Sequence, residues 1–205
     1  MDSELMIAVV GGGGALLGAA VGGAAAVVSA SIQGKRTAEA GRSAYQGALD
    51  VARRTAQQQA YSKLLSAANA YEAETGGVLN IACELIQELS VSLSGDLPSL
   101  SEEIRQQYRS RIEEARNPLE LRAAVRYVGL EGPEIVYRAA KQVHAVVLDL
   151  SRVLGSVEET IDHGEGHWTP VVQASTLLQT HRSLRGAIDG FADTASAHLN
   201  GAGDG

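Results

Sequence analysis

The chain opens on an unbroken apolar run. From Leu5 to Ile32 it reads LMIAVVGGGGALLGAAVGGAAAVVSASI, 28 residues without a charge and with Ser29 and Ser31 as the only polar side chains. A helix needs about 20 mostly apolar residues to cross the ~30 Å hydrocarbon core of a bilayer. Glycines are tolerated there because helical amides satisfy one another. The pattern predicts a short exterior N-terminus, residues 1–4, and one transmembrane helix, residues 5–32. Within it Gly14, Gly18, Gly22 and Ala26 recur at every fourth position. Such a glycine-zipper row flattens one face enough for two helices to pack closely. These four residues are the expected transmembrane packing positions, with a homo-oligomer as their consequence.

Beyond Ile32 the pattern becomes amphipathic. Tyr45, Leu49, Ala52, Ala56, Ala60, Leu64, Ala67 and Tyr71 recur at steps of three or four, which places them on one helical face. Gln57, Gln58, Gln59 and Lys63 fall on other faces. Only Gly34 interrupts the passage from the apolar run, so the membrane helix is expected to run on into this one. Gly76-Gly77 predicts a break or kink. The stripe then resumes at Val78, Ile81, Ala82, Leu85 and Leu89 and fades near Ser94.

Each of the four prolines is expected at a helix start, where its missing N–H costs nothing. Pro98, with Ser99 and Glu102 at capping-box spacing, predicts a helix with Leu100, Ile104, Tyr108 and Ile112 on one side. Its other side carries Arg109 and Glu113 at a pairing distance of four. Asn117-Pro118 opens the next helix over LELRAAVRYV, and Tyr127–Gly132 reads as a tight corner or short extended link. Gly132-Pro133 opens a helix with Val136, Ala139, Ala140, Val143, Val147, Leu150 and Leu154 as its stripe. Thr169-Pro170 opens the last, with Leu177, Leu184, Ile188, Phe191, Ala195 and Leu199 aligned, and Asn200-Gly201 stops it. Residues 200–205 are expected as a disordered tail. The predicted fold is all-α: one N-terminal transmembrane helix and, over residues 33–199, an antiparallel bundle of about four helices with coiled-coil-like stripes.

Composition agrees with close-packed helices, since aromatic residues are only 4% of the chain. A net charge of −7 argues against nucleic acid as a partner. The single cysteine, Cys83, excludes a disulfide framework and is expected as a buried, inert thiol. Asp2 and Glu4 precede the apolar run, whereas Lys35, Arg36, Arg42, Arg53 and Arg54 follow it. Lysine and arginine are retained on the cytoplasmic side of a span. The chain is therefore expected in the cell membrane as a single-pass protein, N-terminus outside and residues 33–205 in the cytoplasm.

Three other readings of the run compete. A cleaved signal peptide ending near Val28-Ser29-Ala30 conflicts with the acidic front, Met-Asp-Ser-Glu. A dinucleotide loop needs glycines at i, i+2 and i+5; Gly11 to Gly14 do not supply them, leaving a looser Gly12, Gly14, Gly18 match. The third is a buried hairpin in a soluble fold.

The most suggestive chemistry is Asp162-His163-Gly164-Glu165-Gly166-His167-Trp168. His163, Glu165 and His167 are ligand types for a metal. Their alternation is not the i, i+4 histidine pair of zinc hydrolases, and the two glycines loosen the segment, so an exposed inter-helix loop is expected. His144 and His181 read as hydrogen-bonded core or boundary histidines. Glu102-Glu103, Glu113-Glu114 and Glu158-Glu159 are adjacent pairs whose side chains diverge on a helix. No inward Glu-x-x-His motif and no nucleophile elbow occurs. The expectation is no catalytic, cofactor-binding or metal-binding residue, and no cofactor.

Three segments, RRTAQQQAYSKLLSAANAYE, RAAVRYVGLEGPEIVYRAAKQVHAVVLDL and GAIDGFADTASAHL, resemble uncharacterised, Ala/Arg-rich helical proteins of actinobacteria. In those proteins a V-x-L-x-G-P-x-x-V segment similarly joins two helices; here it is Val128, Leu130, Gly132, Pro133 and Val136. The resemblance implies an N-terminal membrane segment followed by a cytoplasmic bundle, and carries no activity. The functional expectation is a non-catalytic, membrane-anchored scaffold, adaptor or sensor, with the lipid bilayer and a protein as partners. The alternative is a membrane-acting effector that self-associates through the glycine face.

Overall fold

Every apolar stripe from Ala60 onward has a partner to pack on, and the helices assemble around them. The computed structural model describes residues 3–93, 100–164 and 168–201, with side-chain surroundings given from Ala40 onward, Trp168 excepted. Its elements are α1 (Ser3–Leu93), α2 (Glu102–Ala115), α3 (Leu119–Glu131), α4 (Glu134–Gly155), β1 (Thr160–Asp162), β2 (Trp168–Pro170) and α5 (Ala174–Leu199). The chain divides into two compact units, Met1–Ala52 and Arg53–Gly205.

In the first unit, side chains are described only from Ala40 to Ala52, and all of these are exposed. Tyr45 and Leu49 are 66% and 50% exposed, so no described residue covers this end of the predicted stripe. Among the described residues no helix is long and apolar enough to cross a membrane. The predicted span, residues 5–32, and its row of Gly14, Gly18, Gly22 and Ala26 lie outside the residues whose side chains are described. The predicted tail, from Ala202 on, is also outside the described residues.

The second unit is a helical bundle whose directions follow from its cross-helix contacts. Gln57 donates its side-chain amide to the Glu131 carbonyl at 2.9 Å, and Lys63 sits 4.3 Å above the Tyr127 ring, so α3 runs antiparallel to α1. The Tyr108 hydroxyl reaches Glu84 and the Leu100 N–H reaches Glu88, which sets α2 antiparallel to α1 as well. Tyr71 contacts the Val147 carbonyl in α4, which runs with α1. Tyr61 meets Phe191 and His198 edge-on, while Glu72 receives Arg185, so α5 returns antiparallel. The result is an up-down-up-down bundle whose second arm is made of two helices, α2 and α3, placed end to end.

The core lies between these arms. Leu64, Ala82, Leu121, Val128, Val136, Val143, Val147, Leu150, Leu177, Leu184 and Phe191 are all essentially inaccessible to water. Removing such side chains from water stabilises the fold by ~1.5–3 kcal/mol each. The stripes predicted for α4 and α5 supply most of this interior.

Several local expectations are corrected. Gly76-Gly77 does not break α1, which continues to Leu93. A Cβ on Gly76 would lie 3.5 Å from the His181 imidazole, so α5 packs directly on this turn, and that packing outweighs the poor helix propensity of glycine. Tyr127–Glu131 is not a link but the last part of α3, because Val128 is fully buried there. The reversal needs only Gly132 and Pro133, both extended with ψ near 160°. Gln57 is buried rather than on an outer face.

Among the prolines, Pro118 and Pro133 stand at the starts of α3 and α4 as expected. Pro98 and Ser99 lie outside the described residues, and the residue capping α2 is Ser101, whose hydroxyl accepts from the Ile104 N–H. Pro170 does not open α5. It ends β2, which pairs antiparallel with β1 through Thr160 opposite Pro170 and Ile161 opposite Thr169. Thr and Ile favour this pleated pairing, a Val171 N–H to Glu159 carbonyl bond extends it, and α5 begins only after Gln173. The α4–α5 connection therefore carries a small hairpin within an otherwise all-α fold.

Candidate functional site

The hairpin brings the sequence's most suggestive cluster to one end of the bundle. Gly164 adopts a positive φ of 85° and donates its N–H to the Asp162 carboxylate at 2.8 Å. One carboxylate is thus spent on holding the turn, which is ordinary Asx chemistry. The His163 Nε2 lies 2.8 Å from the Thr169 hydroxyl across the strands. This histidine–hydroxyl pair is exposed, and no carboxylate orients its imidazole among the described contacts, as nucleophile activation requires. Glu165, Gly166 and His167 lie outside the described residues. Among the described residues, no three histidines, cysteines or acids are grouped so as to hold a metal ion.

The other two histidines highlighted by the sequence sit on helices packed into the bundle. His181 is buried on α5, with Nε2 at 3.2 Å from the Glu72 carbonyl and 3.7 Å from its carboxylate. The same carboxylate pairs with Arg185, one turn along. His181 is therefore the hydrogen-bonded core histidine that was expected. His144 is half-buried and its Nε2 has no partner among the described residues. Burial, with the nearby Arg122 adding to it, holds its pKa below the ordinary value. Cys83 is half-buried against the core, and burial pushes its thiol pKa up, away from the reactive thiolate.

Two further features were not among the sequence expectations. Arg109 does not pair with Glu113. Its guanidinium makes a two-point contact with Glu158, at 2.6 and 3.0 Å, and also reaches Glu102 at 2.8 Å. Glu113 pairs with Arg116 instead. The arginine thus ties α2 to the turn after α4, and these charges are more than a solvated face. The second feature is an open groove of about 380 Å3 where α2 gives way to α3, lined by Tyr71, Glu74, Glu114, Asn117 and Glu120. Pro118 interrupts the arm here, and the Asn117 side chain caps the Leu119 N–H at 3.2 Å. Ser151 closes the end of α2 by donating to the Arg116 carbonyl. Tyr71 lies in the groove wall with its pKa pushed up to about 12, chiefly by burial. The Asn117-Pro118 dipeptide was the available signal, since a helix start soon after a helix end marks a broken arm.

The groove is acidic, with Glu74, Glu114 and Glu120 in its lining, and the buried polar groups Gln57, Thr75 and His181 are spent on backbone carbonyls. No protein-family model, curated protein or solved structure matches the chain.

Proposed function

We propose that the protein is a membrane-anchored, non-catalytic helical scaffold or adaptor whose bundle is presented to a protein partner in the cytoplasm. The observation that carries this reading is the 28-residue uncharged run at the head of α1, the helix whose later turns supply the first stripe of the bundle core. Tethering and folding thereby share one element. The acidic residues before the run and the basic ones after it give the direction, N-terminus outside. The partner surface is the acidic groove at the α2–α3 break, which suits a lysine- or arginine-bearing segment.

Cysteine labelling in intact cells tests the topology. In a Cys83→Ser background, Ser3→Cys should react with an impermeant maleimide from outside, and Ser62→Cys only after permeabilisation. Equal labelling of both positions from outside would overturn the reading.

A second reading is supported by the spacing of Gly14, Gly18, Gly22 and Ala26: the anchor self-associates and the protein acts on the membrane as an oligomer. Under it, Gly18→Ile abolishes cross-linked oligomers and any membrane permeabilisation. Unchanged oligomers in that variant would contradict it.

A further inference from the structure

The bundle end formed by the α3–α4 corner exposes aliphatic side chains that its own fold does not need. Tyr127, Leu130 and Ile135 are 48%, 78% and 61% exposed, on the last turns of α3 and the first of α4. Leu130 lies opposite the buried face of α3, Leu121, Ala124, Val125 and Val128, so this short helix is apolar on two sides. Large exposed aliphatics gathered at one corner mark a contact surface.

The charge around them differs from that of the rest of the molecule. Lys63 lies over the Tyr127 ring and Lys141 over the Tyr137 ring, which itself covers Gly129. Arg126 is exposed beside Tyr127. Arg53 and Arg54 precede Gln57 by one turn, and Gln57 is bonded to Glu131 at this corner. Among the described residues, none of these five cations has a carboxylate partner. The acids nearby are Asp50, one turn before Arg53 and Arg54 on α1, and Glu131 and Glu134, the last 3.9 Å from Arg138. At the hairpin end, by contrast, Arg105 and Arg109 are both ion-paired. A chain of net charge −7 thus keeps a corner with excess positive charge, interleaved with aliphatic and tyrosine side chains.

We infer that the α3–α4 corner is a docking surface for an anionic lipid bilayer, with Leu130 and Ile135 entering the headgroup region and the surrounding lysines and arginines meeting lipid phosphates and carboxylates. Both components are needed: apolar side chains bury at the interface, and basic groups near them respond to the negative surface potential. Tyrosine beside them is the residue type enriched at that depth. The surface stands on its own residues and does not rest on the N-terminal span.

The test places an environment-sensitive fluorophore on the full chain, at Leu130→Cys in a Cys83→Ser background, with Ile161→Cys on the hairpin as reference. The protein is reconstituted into phosphatidylcholine vesicles with or without 30% phosphatidylserine and with brominated acyl chains as quenchers. The label at position 130 should shift to the blue and be quenched in the anionic vesicles only, while the label at 161 stays in water. The fourfold variant Arg53→Gln, Arg54→Gln, Arg126→Gln, Lys141→Gln, with unchanged helix content, should lose roughly 100-fold or more in the apparent association of the corner, and salt should do the same. A label at 130 that stays in water with anionic lipid overturns the inference. So does one that is shielded equally in neutral vesicles and in proportion to protein concentration, which would assign the corner to a second copy. Carbonate extraction of the same samples reports on the anchor separately, so either claim can fail while the other stands.

Discussion

At the scale of single residues, glycines separate positions the fold has filled from positions it has left open. A Cβ on Gly132 would meet the Val128 carbonyl at 2.9 Å and the Tyr61 hydroxyl at 3.0 Å, in the two-residue reversal between α3 and α4. Gly132→Ala is expected to destabilise the 33–205 fragment by about 1–3 kcal/mol, read as a lower urea midpoint at unchanged slope. Gly190, on an exposed part of α5, has nothing within 4 Å of its missing Cβ. Gly190→Ala should raise stability by ~0.5–1 kcal/mol, because it removes only the helix penalty of glycine. His144 gives a pH dependence. Its folded pKa is depressed, so the unfolded chain binds the proton first as pH falls below the ordinary 6.5. Stability from this site is complete above 6.5 and is lost as pH drops towards the folded value. His144→Gln should flatten that part of the stability–pH curve while leaving the neutral-pH midpoint nearly unchanged; an identical slope in the variant would show that another group titrates there.

Elements were legible where periodicity was long and one-sided. The stripes of α4 and α5 contain enough consecutive buried positions, Val136 to Leu154 and Leu177 to Ala195, for the 3.6-residue period to fix them. What sequence could not give was the outcome of competition between local preference and packing. Gly76-Gly77 looks like a break until α5 is laid against it, and Tyr127–Glu131 looks like a link until Val128 is seen in the core. Thr169-Pro170 looks like a helix start until Thr169 is paired with Ile161 across the hairpin. The candidate site was legible in part. His181 was placed correctly as a core histidine, whereas the grip of Arg109 on Glu158, 49 positions away, leaves no trace at helical spacing. Both side chains are partly exposed, at 39% and 30%, so solvent screens the pair. Arg109→Ala should cost no more than about 1 kcal/mol but should speed hydrogen exchange in α2 and the α4–α5 turn more than elsewhere.

For the whole molecule, the proposed architecture joins two physical regimes in one chain. The bundle is held by apolar side chains from four arms meeting in one interior, so it should unfold as a unit. Leu150→Ala, at a fully buried position of α4, is expected to cost 2–5 kcal/mol (about the range for such core truncations) and to shift circular dichroism and tyrosine fluorescence together. Under the proposed function, the N-terminal run belongs to the other regime, in which lipid replaces a packed interior. The most direct test of the central claim is alkaline carbonate extraction of membranes from cells producing the full chain and, separately, residues 33–205. The full chain is expected to stay with the membranes, while the fragment is recovered in the soluble fraction as a helical, cooperatively unfolding domain. Release of the full chain into the carbonate supernatant would contradict the anchor, and with it the proposed role.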